Sequence, residues 1–492
     1  MKIVNAIKSF LLENKTIKQT IFKNAFWLTV CVGVDSFLKL FLLIYAARIL
    51  GVVEYGEFSF AFAFISIFVV FSDFGLSTII TREFTHETES DKDFSSVISL
   101  KIVLSFIAFV LILIGSFFAT NNPAIRSVIL ILSIFSLINS FIAAFYALFS
   151  SRQKMEYQAL LEILQGILIV GFGFIVLFNF PSVKNLSYGY LLASVITIIC
   201  VLFLSNSKIF SLKILWDKAV WKKFIKMSWP LTLITLFANI HTYADSIMLG
   251  HWGLLKELGW YSAAYRMVPV AMIPVALVSG SFYPAMSNVI KQSKEKIQQL
   301  WDSQLELIVF FIVPLIAGTI VLSSRIISFL FPIYYAPAVL ALQILIVMVA
   351  LMSISLPFSD ILVVFHKQKE YSFIVISGAI INIALNFVLI PKYGIYGAAI
   401  ATTISHLLVF LLLYRFTLKF ISIKISYLRL FKFFIVTLFS SAVMVFLISR
   451  PQIYNLNVII SVLLGVIVYS LSFFAIKKIF TVLSFKLKNG LR

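Results

Sequence analysis

Charge is scarce in this chain of 492 residues. Asp, Glu, Lys and Arg make up 12% of it and apolar residues 61%, with a mean hydropathy of +1.05. Soluble domains carry roughly 25% charged and 45–50% apolar residues. No water-soluble fold hides that much apolar surface, so lipid must be the solvent. The apolar runs are continuous rather than alternating, which excludes an outer-membrane barrel. Cysteine is scarcer still. Cys31 and Cys200 each fall inside an apolar run and make neither a disulfide framework nor a metal site. The five histidines (His86, His241, His251, His366 and His406) lack ligand spacing with one another, with a cysteine or with an acid. A phosphate-binding Gly-rich loop is missing, which excludes ATP hydrolysis within the chain. So are long external loops and any paired carboxylates or Ser/His/Asp set at a helix mouth. These absences argue against an enzyme, a glycosyltransferase or polymerase included, and nothing calls for a cofactor. A cleavable leader is not evident, because the first apolar run contains Asp35 and Lys39 and no small-residue cleavage pattern follows.

What is present is a series of apolar runs of spanning length. A helix crosses the bilayer with about 20 residues. The runs predict an all-α polytopic membrane protein of about fourteen transmembrane helices, from 24–47 and 58–80 to 430–449 and 455–476. The net charge of +20 would suggest nucleic acid in a soluble protein. Here the basic residues sit between the apolar runs and point to topology and anionic membrane lipids, not nucleic acid. Numbering the loops from the N-terminus, the odd ones hold only Arg48, Arg126, Lys184, Lys256, Arg325, Lys392 and Arg450 of the 40 basic residues, and Lys39, Lys101 and Arg266 lie within helices. The rest lie in the N-terminal segment, the even loops and the C-terminal tail. That alternation predicts a cytoplasmic (inner) membrane protein with both termini in the cytoplasm.

Patterning also divides the chain. Residues 1–23 read as a basic interfacial segment, with Ile3, Ile7, Phe10 and Leu11 on one side; simple positive-inside bias is the other reading. Residues 24–206 hold the first six helices. Residues 207–227 read as an amphipathic cytoplasmic linker resting on the membrane surface, with Leu212, Trp216, Val220 and Phe224 opposite Lys218, Lys222 and Lys226. Residues 228–415 hold six more helices, and 416–492 the last two with a basic tail. A weak repeat supports the division. Leu50-Gly51 with Gly56-Glu57-Phe58-Ser59-Phe60-Ala61 is matched by Leu249-Gly250 with Gly259-Trp260-Tyr261-Ser262-Ala263-Ala264. An even number of helices separates the two copies, which predicts parallel bundles related by an axis along the membrane normal.

A charge at mid-bilayer costs about 2.5–3.5 kcal/mol, so it faces a cavity or a partner. Asp35 and Lys39 are four apart on one helix face and either pair to fix packing or face a cavity. Asp73 and Asp245 lie toward helix ends, as boundary residues or as coupling groups. His241 is four residues before Asp245, as a proton-sensing neighbour or a packing histidine. Lys101 and Glu162 lie close enough to the cytoplasm to snorkel. Arg266, about one turn into the eighth helix, is suited to gripping a phosphate with two parallel bonds. Asp360 reads as a boundary residue after Pro357. Pro269 and Pro274 interrupt the eighth helix, as hinges or as static kinks.

Several stretches resemble bacterial oligosaccharide flippases of the Wzx type, within the superfamily of multidrug, oligosaccharidyl-lipid and polysaccharide exporters. They are Ala46-Ala47-Arg48-Ile49-Leu50-Gly51, Glu54-Tyr55-Gly56 and Ser72-Asp73-Phe74-Gly75-Leu76. Asp245-Ser246-Ile247-Met248-Leu249-Gly250 and Gly259 to Arg266 continue the likeness, and Asn382, Asn386, Pro391, Gly394, Gly397-Ala398-Ala399 and Ala401-Thr402 complete it. The resemblance spans roughly residues 24–415. It implies two six-helix lobes around a central cavity, with two extra C-terminal helices. It implies a cargo of lipid-linked oligosaccharide, of the undecaprenyl-diphosphate type, moved by alternating access for O-antigen, capsule or exopolysaccharide synthesis. A glycan polymerase of the same pathway is an implied partner. On this sequence the cavity cations would be Arg266, Lys39, Arg48 and Lys101, with Asp35, Asp73, Asp245 and His241 as coupling or gating candidates. The alternatives are a cation-coupled multidrug exporter of the same superfamily, which would favour cavity acids and twelve helices, and a flippase for the peptidoglycan precursor.

Overall fold

The structure, a computed structural model, describes residues 16–85, 91–208, 215–290, 293–421 and 426–489. Most of the expected interfacial segment 1–23, and Leu212 of the expected linker, lie outside the described residues. Among the described residues the fold is helical throughout, with no strand. In chain order the helices are α1 (Ile17–Asp73), α2 (Leu76–Glu83), α3 (Asp91–Ala119), α4 (Pro123–Ser151), α5 (Met155–Asn179), α6 (Val183–Lys208) and α7 (Lys218–His251). Then follow α8 (Leu255–Tyr265), α9 (Met267–Val289), α10 (Lys294–Leu330), α11 (Ala338–Val364), α12 (Gln368–Phe420), α13 (Tyr427–Ile448), the short α14 (Pro451–Tyr454) and α15 (Val458–Asn489).

Among the described residues, eleven helical segments are long and apolar enough to cross a membrane. The expected number was about fourteen, and the difference has two physical sources. First, α1 and α12 are each one continuous segment bent at a glycine. Gly51 takes φ 76° and ψ 179°, and Gly394 takes φ 54° and ψ −129°. Both conformations are open to glycine and strained for other residues. Each bend separates two apolar arms that the sequence presents as separate spans. Second, α7, which opens with Lys218, Lys222, Lys223 and Lys226, carries Asn239, His241, Thr242 and Asp245 in its apolar part and is not among the eleven.

That basic opening corrects the expected linker. Asp217 caps the helix by accepting from the amides of Ala219 and Val220 at 2.8 and 3.3 Å. The helix then runs unbroken from Lys218 into its apolar part. Its apolar face lies on protein rather than on a membrane surface. Phe224 is fully buried beside Phe94 and Phe145, and the Trp221 indole donates to the Ser96 carbonyl at 2.9 Å. The lysines remain exposed.

The chain divides into two compact units, Met1–Gly259 and Trp260–Arg492. Helix α7 therefore belongs with the first unit, whereas the sequence assigns residue 228 onward to the second half. Close packing explains this. The Asn239 amide donates to the Ser66 carbonyl at 2.9 Å, and a Cβ at Gly250 would overlap the Phe60 ring. Helix α8 joins α1 in the same way. A Cβ at Gly56 would overlap the Leu255 carbonyl, and one at Gly259 the Val52 carbonyl. The glycines of the two repeat copies thus let two helix backbones touch, the usual means of joining helices in lipid.

The first unit centres on Phe94, Phe145, Leu148, Phe149 and Phe224. In the second unit, Trp301, Phe358, Ile361 and Leu413 form one core, and Leu322, Met444, Tyr469 and Phe473 another. Large apolar side chains such as Phe106, Phe178, Leu471 and Phe474 point outward, at 65–80% exposure. Patches of that kind fit a lipid solvent.

Candidate functional site

In the first unit, α1 ends at a tight turn. Phe74 and Gly75 both take the left-handed conformation, with φ 50° and 70°. Gly75 lies so close to α7 that a Cβ would stand 3.1 Å from Leu231 Cβ and 3.2 Å from the Ser228 carbonyl oxygen. This turn fixes Asp73. Its Oδ1 accepts from Lys101 Nζ of α3 at 2.5 Å and from Ser77 Oγ of α2 at 2.5 Å. The Lys101 side chain is fully buried, while that of Asp73 is 31% exposed. Lys101 therefore does not snorkel; its charge is held inside by Asp73. As a cavity cation it would be one already neutralised.

Asp35 and Lys39 pair along α1 at 2.6 Å, with the carboxylate nearly buried and the ammonium 47% exposed. Asp35 is pressed by α5, where a Cβ on Gly166 would stand 3.2 Å from its Oδ1. Glu162 of the same helix is half-buried and faces Cys31 and Tyr146 within the unit, so it too is held inward rather than snorkelling. Arg48 is exposed and stands three residues before the Gly51 bend. On α7, Asp245 is buried and His241 half-buried. Sequence reasoning missed a further pair: Lys23, fully buried, donates to Glu156 at 2.8 Å and to the Gln153 carbonyl at 3.2 Å. These partners lie over 120 residues apart, and no local signal joins them.

In the second unit, Arg266 marks a break in the chain. Pro269 has no amide hydrogen for the Tyr265 carbonyl four residues earlier, and the helix ends at Tyr265 to restart at Met267. Arg266 itself is half-buried. Pro269 sits in the first turn of α9, where a proline is tolerated; Pro274 lies inside the helix. Helices α9, α10, α13 and α15 enclose an apolar cavity of about 450 Å³. Pro274, Phe311, Pro314, Gly318, Met444, Gly465 and Tyr469 line it. Ser461 also lines it and accepts from Arg325 Nη1 at 3.0 Å, which sets a guanidinium at that end.

Asp360 corrects another expectation. It is not a boundary residue but an inward-facing one, held by Ser279 Oγ of α9 and by Gln304 Nε2 of α10 at 2.8 Å. Gln304 is fully buried. At one end of the same unit, Arg429 binds Glu306 through two parallel bonds of 2.5 and 3.0 Å, tying α13 to α10.

Comparison with known proteins places this fold. The sequence model of a family described as polysaccharide biosynthesis protein matches residues 21–290. A probable low-salt glycan biosynthesis flippase, Agl15 of Haloferax volcanii, is 23% identical over 387 residues, covering 77% of this chain and 80% of the relative. An uncharacterized membrane protein, MJ1068 of Methanocaldococcus jannaschii, is 24% identical over 398 residues, covering 73% and 76%. Among solved structures, lipid II flippase MurJ in an inward closed conformation superposes with a TM-score of 0.75 at 19% identity, over 92% of this chain and 98% of that one. A multidrug resistance MATE family transporter of the MOP superfamily, in its inward-facing conformation, superposes at 0.65 and 13% identity, over 82% and 98%. At these identities the likeness establishes the shared fold.

Proposed function

Because the chain belongs to the polysaccharide biosynthesis protein family, whose sequence model covers residues 21–290, we propose that it is a flippase for polyprenyl-diphosphate-linked oligosaccharides. It carries repeat units across the cytoplasmic membrane by alternating access, for assembly into a surface polysaccharide such as O-antigen, capsule or exopolysaccharide. Both termini lie in the cytoplasm, in keeping with the lysine and arginine alternation. The undecaprenyl carrier stays in lipid while the glycan crosses, and a glycan polymerase takes the product outside.

The observation that carries this reading is the apolar cavity walled partly by α13 and α15. At about 450 Å³ it lies within the size range of small-molecule sites, about 300–1,000 Å³. Two of its four walls are the C-terminal helices, which a twelve-helix drug exporter would lack. An apolar slot with Arg325 at one end suits an amphiphile, with a chain in the slot and an anion near the cation. Arg266 and Arg48 supply further cations in their own units; a diphosphate in a low-dielectric setting requires such partners.

The slot can be filled without disturbing the backbone. The nearest atoms to a Cβ on Gly465 would be side-chain atoms of Ile448 and Met444, at 3.6–3.7 Å, and one on Gly318 would meet Met444 at 3.5 Å. Gly465→Leu should therefore fold and insert normally yet lose transport of a fluorescent lipid-linked oligosaccharide in proteoliposomes. Arg266→Ala should abolish surface polysaccharide in cells while the protein still inserts. Normal transport by Gly465→Leu removes the cavity from the mechanism, and drug extrusion without glycan transport replaces the reading with the exporter.

A further inference from the structure

We propose that Asp360 is the binding site of one small monovalent cation, a proton or Na⁺, and that its occupancy is linked to the bend of α11 at Pro357. Three observations lead there. Ser279 Oγ and Gln304 Nε2 both donate to Oδ2 of Asp360. No hydrogen bond to Oδ1 and no cationic side chain on the carboxylate is found among the described residues. Gln304 is fully buried, and its own Oε1 has no hydrogen-bond partner. A carboxylate inside a membrane helix bundle is costly unless a positive charge meets it. The carboxylate and the amide that donates to it thus each keep one oxygen without a hydrogen-bond partner, hard oxygen donors suited to a proton or to Na⁺.

The neighbouring charges are accounted for. Tyr371 of α12 turns its phenol toward Asp360. On α10, Asp302 accepts from Gln298 at 3.0 Å and from Ser426 at 2.9 Å, and Glu306 is held by Arg429. At the α11–α12 connection Lys367 and Glu370 pair with each other at 3.5 Å, and His366 is exposed. On α9 the titratable neighbour is Tyr283, at 37% exposure. None of these supplies the missing cation.

The link to the backbone is direct. Pro357 deprives the Ser353 carbonyl of its helical amide partner, and the Pro357 carbonyl accepts from the Trp301 indole of α10 at 3.1 Å. Trp301 is fully buried and packs edge-on against Phe358 at 5.3 Å. Gln304 stands three residues after Trp301, and Asp360 three after Pro357. One face of α10 therefore holds the bend and the carboxylate together, and a cation arriving at Asp360 changes what Gln304 must do on the same face.

The inference rests on the carrier reading only for its use in transport; binding itself is read on purified protein without cargo. Thermal unfolding and Trp301 fluorescence, assigned by difference from Trp301→Phe, would be followed across pH 5–9 without Na⁺, and at fixed pH across Na⁺ concentrations. The wild type should respond in one series: a response to pH names the proton and a response to Na⁺ names sodium. Asp360→Asn should abolish that response while still folding. A purely structural carboxylate would shift the melting temperature but leave the ion dependence intact. Should Asp360→Asn fail to fold, Gln304→Leu serves. Losing a donor to the anion favours the occupied form, so the proton midpoint should move to higher pH, whereas loss of an amide oxygen should weaken Na⁺. No response in the wild type, or an unchanged response in both variants, overturns the assignment.

Discussion

In the first unit Lys101 rests on Asp73 and Lys23 on Glu156, so two fully buried ammonium groups each have a carboxylate. In the second unit Asp360 rests on a hydroxyl and an amide, and the ion pair Arg429–Glu306 lies where Arg429 is half exposed. The first unit thus spends its buried cations on holding helices together. Among the described residues, the second leaves an acid without a cationic partner and puts its ion pairs, Arg429–Glu306 and Lys367–Glu370, near water. A buried pair is weak evidence for added stability, because desolvation offsets the attraction, yet removing one partner is costly. The first arrangement suits a rigid frame, and the second suits an element that changes state.

The largest expected effect tests the frame. Asp73→Ala leaves the buried ammonium of Lys101 alone and should cost about 3–5 kcal/mol of stability. Lys101→Met leaves only a partly exposed carboxylate and should cost less, and the double variant should recover much of the loss. Unfolding of the purified protein in detergent measures all three. Equal costs for the two single variants would mean that the pair is not asymmetric and that Lys101 reaches water after all.

Packing without charge gives the next effect. Gly259→Val places a side chain on the Val52 carbonyl, where α1 and α8 touch. Overpacking of this kind costs about 1–3 kcal/mol. Addition of salt should not alter that loss. If salt changes it, electrostatics rather than backbone contact joins these helices.

The apolar runs and the alternation of basic residues made the helical membrane fold legible, because lipid imposes both on the chain. The bends at Gly51 and Gly394 were less so: a glycine says that a left-handed residue is allowed, not that one helix continues through it. The Leu212–Phe224 stripe predicts an amphipathic segment, but periodicity names an apolar face and not what covers it; Phe224 packs against Phe84 at 6.1 Å rather than on lipid. The pairing of Lys101 with Asp73 depends on how three helices meet at the Phe74–Gly75 turn, and that of Lys23 with Glu156 on elements 133 residues apart. Asp360 was misjudged because nearness to Pro357 looks in sequence like nearness to a helix end. Only packing shows Gln304 and Ser279 closing over it.

A smaller effect separates the two kinds of ion pair. Arg429→Ala should cost no more than about 1 kcal/mol, since Arg429 is 50% exposed and exposed pairs contribute little. The loss should shrink further in high salt. A loss as large as that of Asp73→Ala would place a buried, structural pair in the second unit and erase the contrast.

Lys39→Ala is expected to have the smallest effect on stability. The pair with Asp35 is an i,i+4 contact on one helix with a lysine 47% exposed, worth about 0.3–0.5 kcal/mol. Its effect on transport is a separate quantity, and the two together decide what the lysine does. If Lys39 only neutralises Asp35, Asp35→Asn should relieve any defect of Lys39→Ala, because the uncompensated carboxylate is gone. If Lys39 also meets the anionic part of the cargo, transport by Lys39→Ala should fall at least tenfold with stability unchanged, the double variant should stay inactive, and Lys39→Arg should restore much of the rate. That second pattern would give the first unit a cation used for more than holding helices, alongside the pairs that Lys101 and Lys23 make.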